Sequence, residues 1–409
     1  MYTKALKRTT LLMSGLITGL TTLVALALTL MQLGGPLPGG VGAPVGGIRE
    51  AAPTPEPLPQ LRSARIRAVG DLMVHQTQLD IARQEDGSYD FHPQFAQVAG
   101  VLADADYTIA NLETTIGRKD NRAWSGFPMF STPESLLDAV RDAGVDFLTL
   151  ANNHILDRGF EGMQLTVDNV DRYGFDFAGA NRTPEEKERP VVVEVNGIRI
   201  GMLCYTEMTN GMEKQKGNGP AREYGVNYLK GVDFAEEVRK LRDAGAEVVF
   251  ALPHWGVEYR KEPTQSMENL AREMVAAGVD VVIGSHPHMV EPVTWVEAET
   301  ESGEVRRGLV AYSMGNFISN MSKRFTDSGI LLEFTLAERE TGGFDVTDVK
   351  VMPTYCWRQP GLMIRTLPAL DWYDAPPEGM TDDLWQRLRE SVDELGKLIG
   401  DFPMIGSKF

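Results

Sequence analysis

Short apolar runs alternate with amphipathic segments from Arg65 onward, and no other feature restricts the fold of this chain as strongly. Strand–helix alternation is typical of an α/β sandwich, because each amphipathic helix must cover a face of a sheet. Two apolar runs around Asn196-Gly197 add a β-hairpin, which makes the sheet mixed. The predicted strands are RIRAVG (65–70), DYTIAN (106–111), DFLTLAN (146–152), EVVFALPHW (247–255), DVVIGS (280–285) and GLVAYSMGN (308–316).

Four segments between these strands carry residues that are typical of helix boundaries. Ser131 and Glu134 form a predicted capping box at the start of the first segment. Asp233 and Ser266 open the third and fourth segments, and every segment closes on a glycine. The predicted helices are TPESLLDAVRDAG (132–144), FEGMQLTVDNVDRYG (160–174), DFAEEVRKLRDAG (233–245) and SMENLAREMVAAG (266–278).

The N-terminal segment predicts a membrane anchor. Residues 11–31 contain no charged residue and follow three cations, Lys4, Lys7 and Arg8. A run of this length can span a bilayer, and the preceding cations favour a cytoplasmic N-terminus. A signal peptide cleaved after Ala25-Leu26-Ala27 is the alternative. Both interpretations place the rest of the chain outside the cytoplasm, and the anchor predicts a single-pass protein of the cell membrane.

Composition divides the chain into four parts. Residues 1–33 are predicted to hold a short cytoplasmic tip and the anchor, and residues 34–63 form a linker rich in Gly and Pro. Residues 64–370 form the predicted globular domain, and residues 371–409 a C-terminal helical tail.

The overall charge excludes one class of partner. The net charge is −17, whereas general nucleic-acid binding needs a broad basic surface. An apolar fraction of 43% is that of an ordinary globular protein, and two cysteines are too few for a disulfide framework.

Polar clusters follow one predicted strand after another. The chain has six histidines, and five of them lie in or beside these clusters. In open α/β sheets the ends of the strands are where sites are built. The clusters are RAVGDLMVH (67–75), IANLETTI (109–116), TLANNHILDRG (149–159), ALPHWGVEY (251–259) and GSHPHM (284–289).

The residue types in these clusters indicate a metal centre without thiolates. None of the clusters contains cysteine, and imidazole mixed with carboxylate suits Mn, Zn or Fe. A two-metal centre needs one carboxylate shared between the ions and about three further ligands on each. The residues that come close to such a set are Asp71, Glu113, Asn153, His254, His286 and His288.

The motifs GDLM, NLETTI, ANNHILDRG, HWGVEY, GSHPHM and YSMGNF, in this order, resemble the CapA family of poly-γ-glutamate capsule biosynthesis proteins. The resemblance covers about residues 65–320 and implies a four-layer α/β/β/α sandwich of the calcineurin-like metallophosphoesterase type. It implies that Glu113 bridges two metal ions and that His154 is the acid that assists the leaving group. One ring of the pair His286 and His288 would serve each ion.

Two positions depart from the pattern of the parent phosphoesterases. Met73 stands where they have a histidine, and a thioether is a poor ligand for Mn, Zn or Fe(III). If a helix begins at Asp71, His75 would share its face and could replace the missing ligand. A surface histidine that caps a loop is the alternative. Glu113 stands where the parent phosphoesterases have an aspartate, and its extra methylene moves the carboxylate.

Other polar residues near the motifs have two open interpretations. Asp157 either orients His154 as a catalytic partner or caps a helix. Glu258 and Tyr259 either support the site or close a loop. His92 lies outside the motifs and is interpreted as a structural or surface residue.

Cations lie a few residues beyond several of the motif ligands, and they predict a basic rim that would draw an anion to the site. Asn316 of the YSMGNF motif is placed with them as a substrate-binding residue. The predicted rim consists of Arg118, Lys119, Arg158, Arg260, Lys261, Lys323 and Arg324.

Three functions remain open from the sequence. The resemblance implies a membrane-anchored component of poly-γ-glutamate synthesis or export, whose partners would be this polyanionic polymer and other capsule-synthesis membrane proteins. The alternatives are an extracellular metal-dependent hydrolase of phosphoesters or related bonds, and a non-catalytic scaffold that keeps a relic metal site.

Overall fold

The computed structural model describes residues 60–118, 123–359 and 363–408. The predicted anchor at residues 11–31 and almost all of the predicted linker lie outside these residues. Within the described part of the chain, no helix is both long enough and apolar enough to cross a membrane.

The larger of two mixed sheets has the strand order β14-β13-β12-β1-β2-β3-β4. The central strand β1 runs parallel to β2 and antiparallel to β12. The short strand β11 takes over from β12 beside the end of β1, where Asp71 lies opposite Asn316. The strands are β1 (Ser63–Leu72), β2 (Tyr107–Leu112), β3 (Phe147–Thr149), β4 (Asp176–Ala178), β11 (Asn316–Ile318), β12 (Ser328–Glu338), β13 (Phe344–Gln359) and β14 (Met363–Pro368).

The smaller sheet has the order β5-β6-β7-β8-β10-β9. The hairpin predicted at Asn196-Gly197 is confirmed, since it joins β5 to β6 with both turn residues at positive φ. The strands are β5 (Val192–Val195), β6 (Ile198–Thr206), β7 (Val248–His254), β8 (Val281–Ile283), β9 (Val293–Glu299) and β10 (Val305–Ala311).

Each of the six predicted strand segments contains a strand, but the sequence interpretation missed the long antiparallel strands β12 and β13. Residue alternation alone predicts one mixed sheet, whereas the structure has two. The helices of the described residues are α1 (Gln76–Ala82), α2 (His92–Phe95), α3 (Ala99–Ala103), α4 (Ser135–Asp142), α5 (Gly159–Arg172), α6 (Pro184–Glu188), α7 (Phe234–Asp243), α8 (Gln265–Ala277) and α9 (Asp382–Leu398).

Two of the predicted helix starts are wrong. Helix α4 begins after Glu134, so Ser131 does not cap it, and the Ser131 backbone instead pairs with Ser125. Helix α8 begins one residue before Ser266, because Thr264 accepts the hydrogen bond from the backbone of Met267. The predicted cap at Asp233 is confirmed by its bond to the backbone of Glu236.

Three hydrophobic cores hold the layers together. Apolar side chains of both sheets, such as Ile66 and Phe250, form the core between the sheets. Leu136 of α4 and Met163 of α5 cover the other face of the larger sheet. Helices α7 and α8 cover the other face of the smaller sheet. Burial at about 25 cal/mol per Å² of apolar surface makes these contacts the main stabilising force.

The C-terminal helix α9 packs against β13 around Tyr355 and Leu388. Its acidic side chains also reach loops of both sheets, since Glu394 pairs with Lys261 after β7 and Glu390 with Arg324 after β11.

Candidate metal centre

The six predicted metal ligands meet at one edge of the two sheets. Asp71 lies near the end of β1, and Glu113 follows β2 directly. His254 is the last residue of β7, and the histidine pair follows β8. All six side chains are buried, with exposed fractions between 0% and 4%: Asp71, Glu113, Asn153, His254, His286 and His288.

The carboxylate of Glu113 lies at the centre of this group. Its Oε1 has no hydrogen-bond partner in the described residues, and it lies 3.9 Å from Nε2 of His254 and 3.7 Å from Nε2 of His288. Two atoms that each lie about 2.1 Å from one ion are about 3.0–4.2 Å apart. Asp71, Glu113 and His254 each offer a ligand atom within 4.8 Å of the others. The spacing therefore fits metal ligation.

His254 is held from both sides. Its Nδ1 contacts Oγ of Ser285 at 2.8 Å, and its Nε2 lies 3.0 Å from Oδ1 of Asn153. A partner on Nδ1 fixes the orientation of the ring and leaves Nε2 as the ligand atom. The ring centroid of His286 lies 4.8 Å away. Nδ1 of His286 has no hydrogen-bond partner in the described residues, which makes it a second buried donor atom for a cation.

A separate set of contacts holds Asp71. The amide nitrogen of Asn111 donates to Oδ1 of Asp71 at 2.8 Å and to Oε2 of Glu113 at 3.2 Å. Nδ1 of His288 lies 3.1 Å from Oδ2 of Asp71 and 3.1 Å from Oδ1 of Asn316. Asn111 therefore lies between the two carboxylates and donates to both.

The electrostatics of the protein alone favour a bound cation. Burial and the charge of Asp71 raise the pKa of Glu113 well above its usual value. Burial and the neighbouring His286 hold the pKa of His254 well below its usual value, and burial lowers the pKa of His286 to about 4. The group thus combines neutral imidazoles with carboxylates that repel each other, and a divalent ion would relieve that repulsion. The residues fit a metal centre.

The GSHPHM loop adopts backbone angles that non-glycine residues rarely adopt. His286 has φ 102° and His288 has φ 57°. Such strain costs on the order of 1–3 kcal/mol per residue and persists only where the surroundings enforce it. The carbonyl of Pro287 accepts a hydrogen bond from Tyr259, and a side chain at Gly284 would lie 2.0 Å from the Tyr312 carbonyl. The loop is therefore locked with both rings aimed inward.

His154 and Asp157 form a buried pair beside the metal ligands. Nδ1 of His154 lies 2.8 Å from Oδ2 of Asp157, which also accepts the backbone N–H of Phe130 at 2.7 Å. The Phe130 ring packs edge-on against His154 at 4.7 Å. Helix α5 has Arg158 at its N-cap, so Asp157 orients the imidazole and does not cap the helix.

Met73 and His75 have separate surroundings beside the site. Met73 is buried, and its N–H donates to the carbonyl of Ile318. Asp71 lies in a strand and His75 in the extended residue before α1, so the two do not share a helical face. Nδ1 of His75 accepts the N–H of Asn320 at 3.2 Å. Ligation by His75 stays a prediction.

The predicted rim cations have different partners. Lys261 and Arg324 pair with the glutamates of α9, and Arg118 lies 4.3 Å from the ring centroid of Trp124. Nζ of Lys323 lies 3.7 Å from the ring centroid of Tyr259.

The predicted rim has three further residues. Arg158 donates to the Met129 carbonyl at 2.8 Å, Arg260 is exposed, and Lys119 lies outside the described residues. A shared basic face stays a prediction.

Several other candidates are placed by their contacts. Asn316 is fully buried, and its Nδ2 donates to the Thr326 carbonyl while its Oδ1 faces His288. Tyr259 lies 6.3 Å from the His288 ring, whereas Glu258 is exposed. His92 is exposed between Asp90 and Asp142, in agreement with its interpretation as a surface residue.

Sequence reasoning gave no role to Asn111 or Ser285. Asn111 precedes Glu113 by two residues, which places both on one face of an extended chain, and this spacing could have identified it. Ser285 gave no comparable signal, because its contact with His254 joins two different strands.

The comparisons with known proteins agree on one family. The sequence model described as "Bacterial capsule synthesis protein PGA_cap" matches residues 65–321. The chain is 27% identical over 289 residues to the capsule biosynthesis protein CapA of Bacillus anthracis, across 69% of this chain and 66% of that protein. It is 27% identical over 285 residues to the PGA biosynthesis protein CapA of Bacillus subtilis (strain 168), across 69% of this chain and 70% of that protein.

The chain thus spans about two thirds of the length of these curated relatives. Among solved structures, the NAD nucleotidase of Haemophilus influenzae is similar with a TM-score of 0.44 and 12% identity, across 85% of this chain and 58% of that chain.

Proposed function

The chain belongs to the bacterial capsule synthesis protein family PGA_cap, and from this premise we propose that it is a metal-dependent enzyme of poly-γ-glutamate synthesis or export. One observation supports the metal-dependent part most directly. Glu113 Oε1 is buried without a hydrogen-bond partner in the described residues, and two imidazole nitrogens lie less than 4 Å from it. Its substrate would be the polyanionic polymer, and its partners other capsule-synthesis membrane proteins.

The proposed centre is of the metallophosphoesterase type and holds two ions of Mn, Zn or Fe. Asn153, His254 and His286 would hold one ion, Asp71 and His288 the other, and Glu113 would bridge them. When bound, such ions supply Lewis-acid chemistry toward the scissile bond and toward water. The carboxylates and imidazoles are of the types these metals prefer.

The pair of His154 and Asp157 supplies the proton chemistry. Asp157 engages Nδ1 of His154, so the other ring nitrogen can carry the proton to the departing atom of the substrate. Phe130 packs on the ring and limits the access of water. Asp157 therefore acts as a positioning residue for the acid.

The proposal includes export of the globular domain on an uncleaved N-terminal anchor. Mass spectrometry of the mature protein tests it. We expect a chain that retains residues 11–31, whereas a mature chain that begins at Leu28 would replace the anchor with a cleaved signal peptide.

The metal content of the purified protein separates an enzyme from a scaffold. We expect the full-length protein to keep transition metal through purification, whereas less than about 0.2 equivalents would indicate a relic site. Asp157→Asn should keep the metal and lower kcat by about 10²-fold or more, with the alkaline limb of the pH profile shifted to lower pH because the acid loses its carboxylate partner. Cleavage of phosphomonoesters but not of the polymer would favour a general phosphoesterase.

A further inference from the structure

Large apolar side chains are exposed at few places, and most of these places border the metal centre. Within the described residues, five such side chains are exposed by more than 40%. Leu61 and Val305 lie at the starts of β1 and β10, away from the metal ligands. The other three lie in loops that surround the site: Phe127 (68% exposed), Met208 (41%) and Val257 (48%).

Phe127 is fixed above His154. The two ring centroids lie 6.4 Å apart. The loop that carries Phe127 is closed by backbone hydrogen bonds between Ser125 and Ser131, of 3.1 and 2.8 Å. A side chain at Gly126 would lie 2.3 Å from the backbone nitrogen of Gln76, so the loop packs tightly against the start of α1.

The same loop is tied to the catalytic pair. Asp157 accepts the N–H of Phe130 at 2.7 Å, and Arg158 donates to the Met129 carbonyl at 2.8 Å. The position of Phe127 is therefore set by the residues that orient His154. Most of the Phe127 ring is exposed to water and contributes little to the core, which favours contact with a ligand.

Met208 and Val257 lie in the loops that border His254. The carbonyl of His254 accepts the N–H of Glu207, and the Glu207 carboxylate accepts the N–H of Gly256 at 2.9 Å. Asn153 links this side to His154, since its Oδ1 lies 3.0 Å from Nε2 of His254. Exposed apolar side chains therefore lie in loops next to both His154 and His254.

A cation also lies close to the site. His288 faces Asp71, and Tyr259 lies 6.3 Å from its ring. Nζ of Lys323 lies over the Tyr259 ring at 3.7 Å and belongs to an exposed residue. The site therefore offers a cation beside His288 and an exposed aromatic ring beside His154.

We propose that the centre takes an anion whose leaving group is apolar, with the anionic group toward Lys323 and a methylene chain or flat ring packed on Phe127. Phe127 is then a substrate-contacting residue that determines specificity. This inference rests on the proposed metal-dependent function, and it narrows the substrate class to anionic esters or amides with apolar or flat leaving groups. Each γ-linked glutamate of the polymer offers two methylenes and a planar amide for the contact with Phe127, and its free α-carboxylate is the anionic group.

Binding of two non-hydrolysable anions to the Mn-loaded full-length protein tests the proposal. Phenylphosphonate should bind about threefold to tenfold more tightly than methylphosphonate, because one aromatic contact is worth about one factor of ten or less. Phe127→Ala should remove this preference and leave methylphosphonate affinity and metal content unchanged. Phe127→Trp should keep the preference, and Val305→Ala, at the far end of the molecule, should match the wild type.

The outcomes separate this inference from the function on which it rests. If the wild type binds metal and both anions with equal affinity, the role of Phe127 is wrong while the metal centre stands. If Phe127→Ala keeps the phenyl preference, the contact lies elsewhere and the inference is likewise overturned. Failure to bind metal overturns the proposed function itself. Lys323→Ala should weaken both anions alike, and unequal weakening would contradict the assigned polarity.

Discussion

Carboxylates have opposite kinds of partner at the two ends of the strands. At the amino ends of β7 and β8, Asp280 accepts hydrogen bonds from Arg306 and from the backbone of Val249, both at 2.9 Å. Glu247 and Glu338 share the guanidinium of Arg62. At the carboxyl ends, the ionisable side chains that face Asp71 and Glu113 within the described residues are imidazoles.

The difference shows in the direction of the pKa shifts. Arg62 lowers the pKa of Glu338 to about 2, whereas burial and Asp71 raise the pKa of Glu113. A carboxylate that is paired with arginine is already neutralised within the protein and needs no bound ion. A buried carboxylate such as Glu113, which has no guanidinium or ammonium partner in the described residues, is stabilised when a cation binds.

A single buried carboxylate does not by itself indicate a metal site, as Glu291 shows. Both of its carboxylate oxygens are buried without a hydrogen-bond partner in the described residues, yet it belongs to no group of metal-ligating side chains there. Several ligand atoms must converge before an unpaired carboxylate indicates a metal site.

The largest expected effect follows from Glu113→Gln. The substitution keeps the size of the side chain but removes the charge, so metal affinity should fall by about 100-fold or more. The metal-free variant should be as stable as the metal-free wild type or more so, because a buried charge beside Asp71 is gone. Metal analysis and thermal unfolding in chelator measure both. Retained metal would refute the central role of Glu113.

Replacement of His254 by Ala should remove more metal than replacement of His75 by Ala. His254 Nε2 faces Glu113 and Asn153, whereas His75 already accepts a backbone hydrogen bond from Asn320. Equilibrium dialysis against Mn gives the two affinities. Equal losses would show that His75 is a full ligand and replaces the histidine missing at Met73.

Glu333→Gln is the counterpart of Glu113→Gln, because Glu333 is a buried carboxylate that is paired with an arginine. Glu333 accepts a hydrogen bond from Nε of Arg67 at 2.7 Å, and both side chains are buried. Loss of the carboxylate leaves Arg67 charged and buried, which should lower the free energy of unfolding by about 3 kcal/mol or more. Urea unfolding measures this, and metal content should not change. A variant that loses metal but not stability would reverse the comparison.

Glu291→Gln should change how stability depends on pH. Burial raises the pKa of Glu291 from 4.5 to about 8. The folded protein then holds a proton that the unfolded chain releases, so stability falls as pH rises from about 4.5 to 8. The variant should flatten this decline and gain on the order of 1–3 kcal/mol at pH 9. Thermal unfolding from pH 5 to 9 measures it, with exposed Glu297→Gln as the control. A parallel decline in both variants would contradict the assignment.

The smallest effect should come from Arg62→Ala at low pH. The pKa of Glu338 is depressed to about 2, so its contribution to stability is present above about pH 4.5 and is lost as pH falls toward 2. The variant should be less stable than the wild type at pH 7 and close to it near pH 2. A constant difference across this range would show that Arg62 acts through packing alone.

Much of the fold and of the site was predictable, for local reasons. Strand positions follow from apolar runs, and the cap at Asp233 follows from residue type. The six candidate ligands could be selected because each lies near or just beyond the end of a predicted strand. The start of α4 was predicted wrongly, since Ser131 is taken by pairing with Ser125.

The sequence by itself determined the residue types, their order along the chain and the strand ends on which they stand. Periodicity and capping are local properties, so they can be recognised in the sequence without knowledge of distant contacts. Only the tertiary structure decided that β11 replaces β12 beside Asp71, that Asn111 spaces two carboxylates, and that the loop of Phe127 is tied to Asp157. These contacts join residues far apart in sequence, so they depend on strand pairing and packing and leave no periodic trace in the chain.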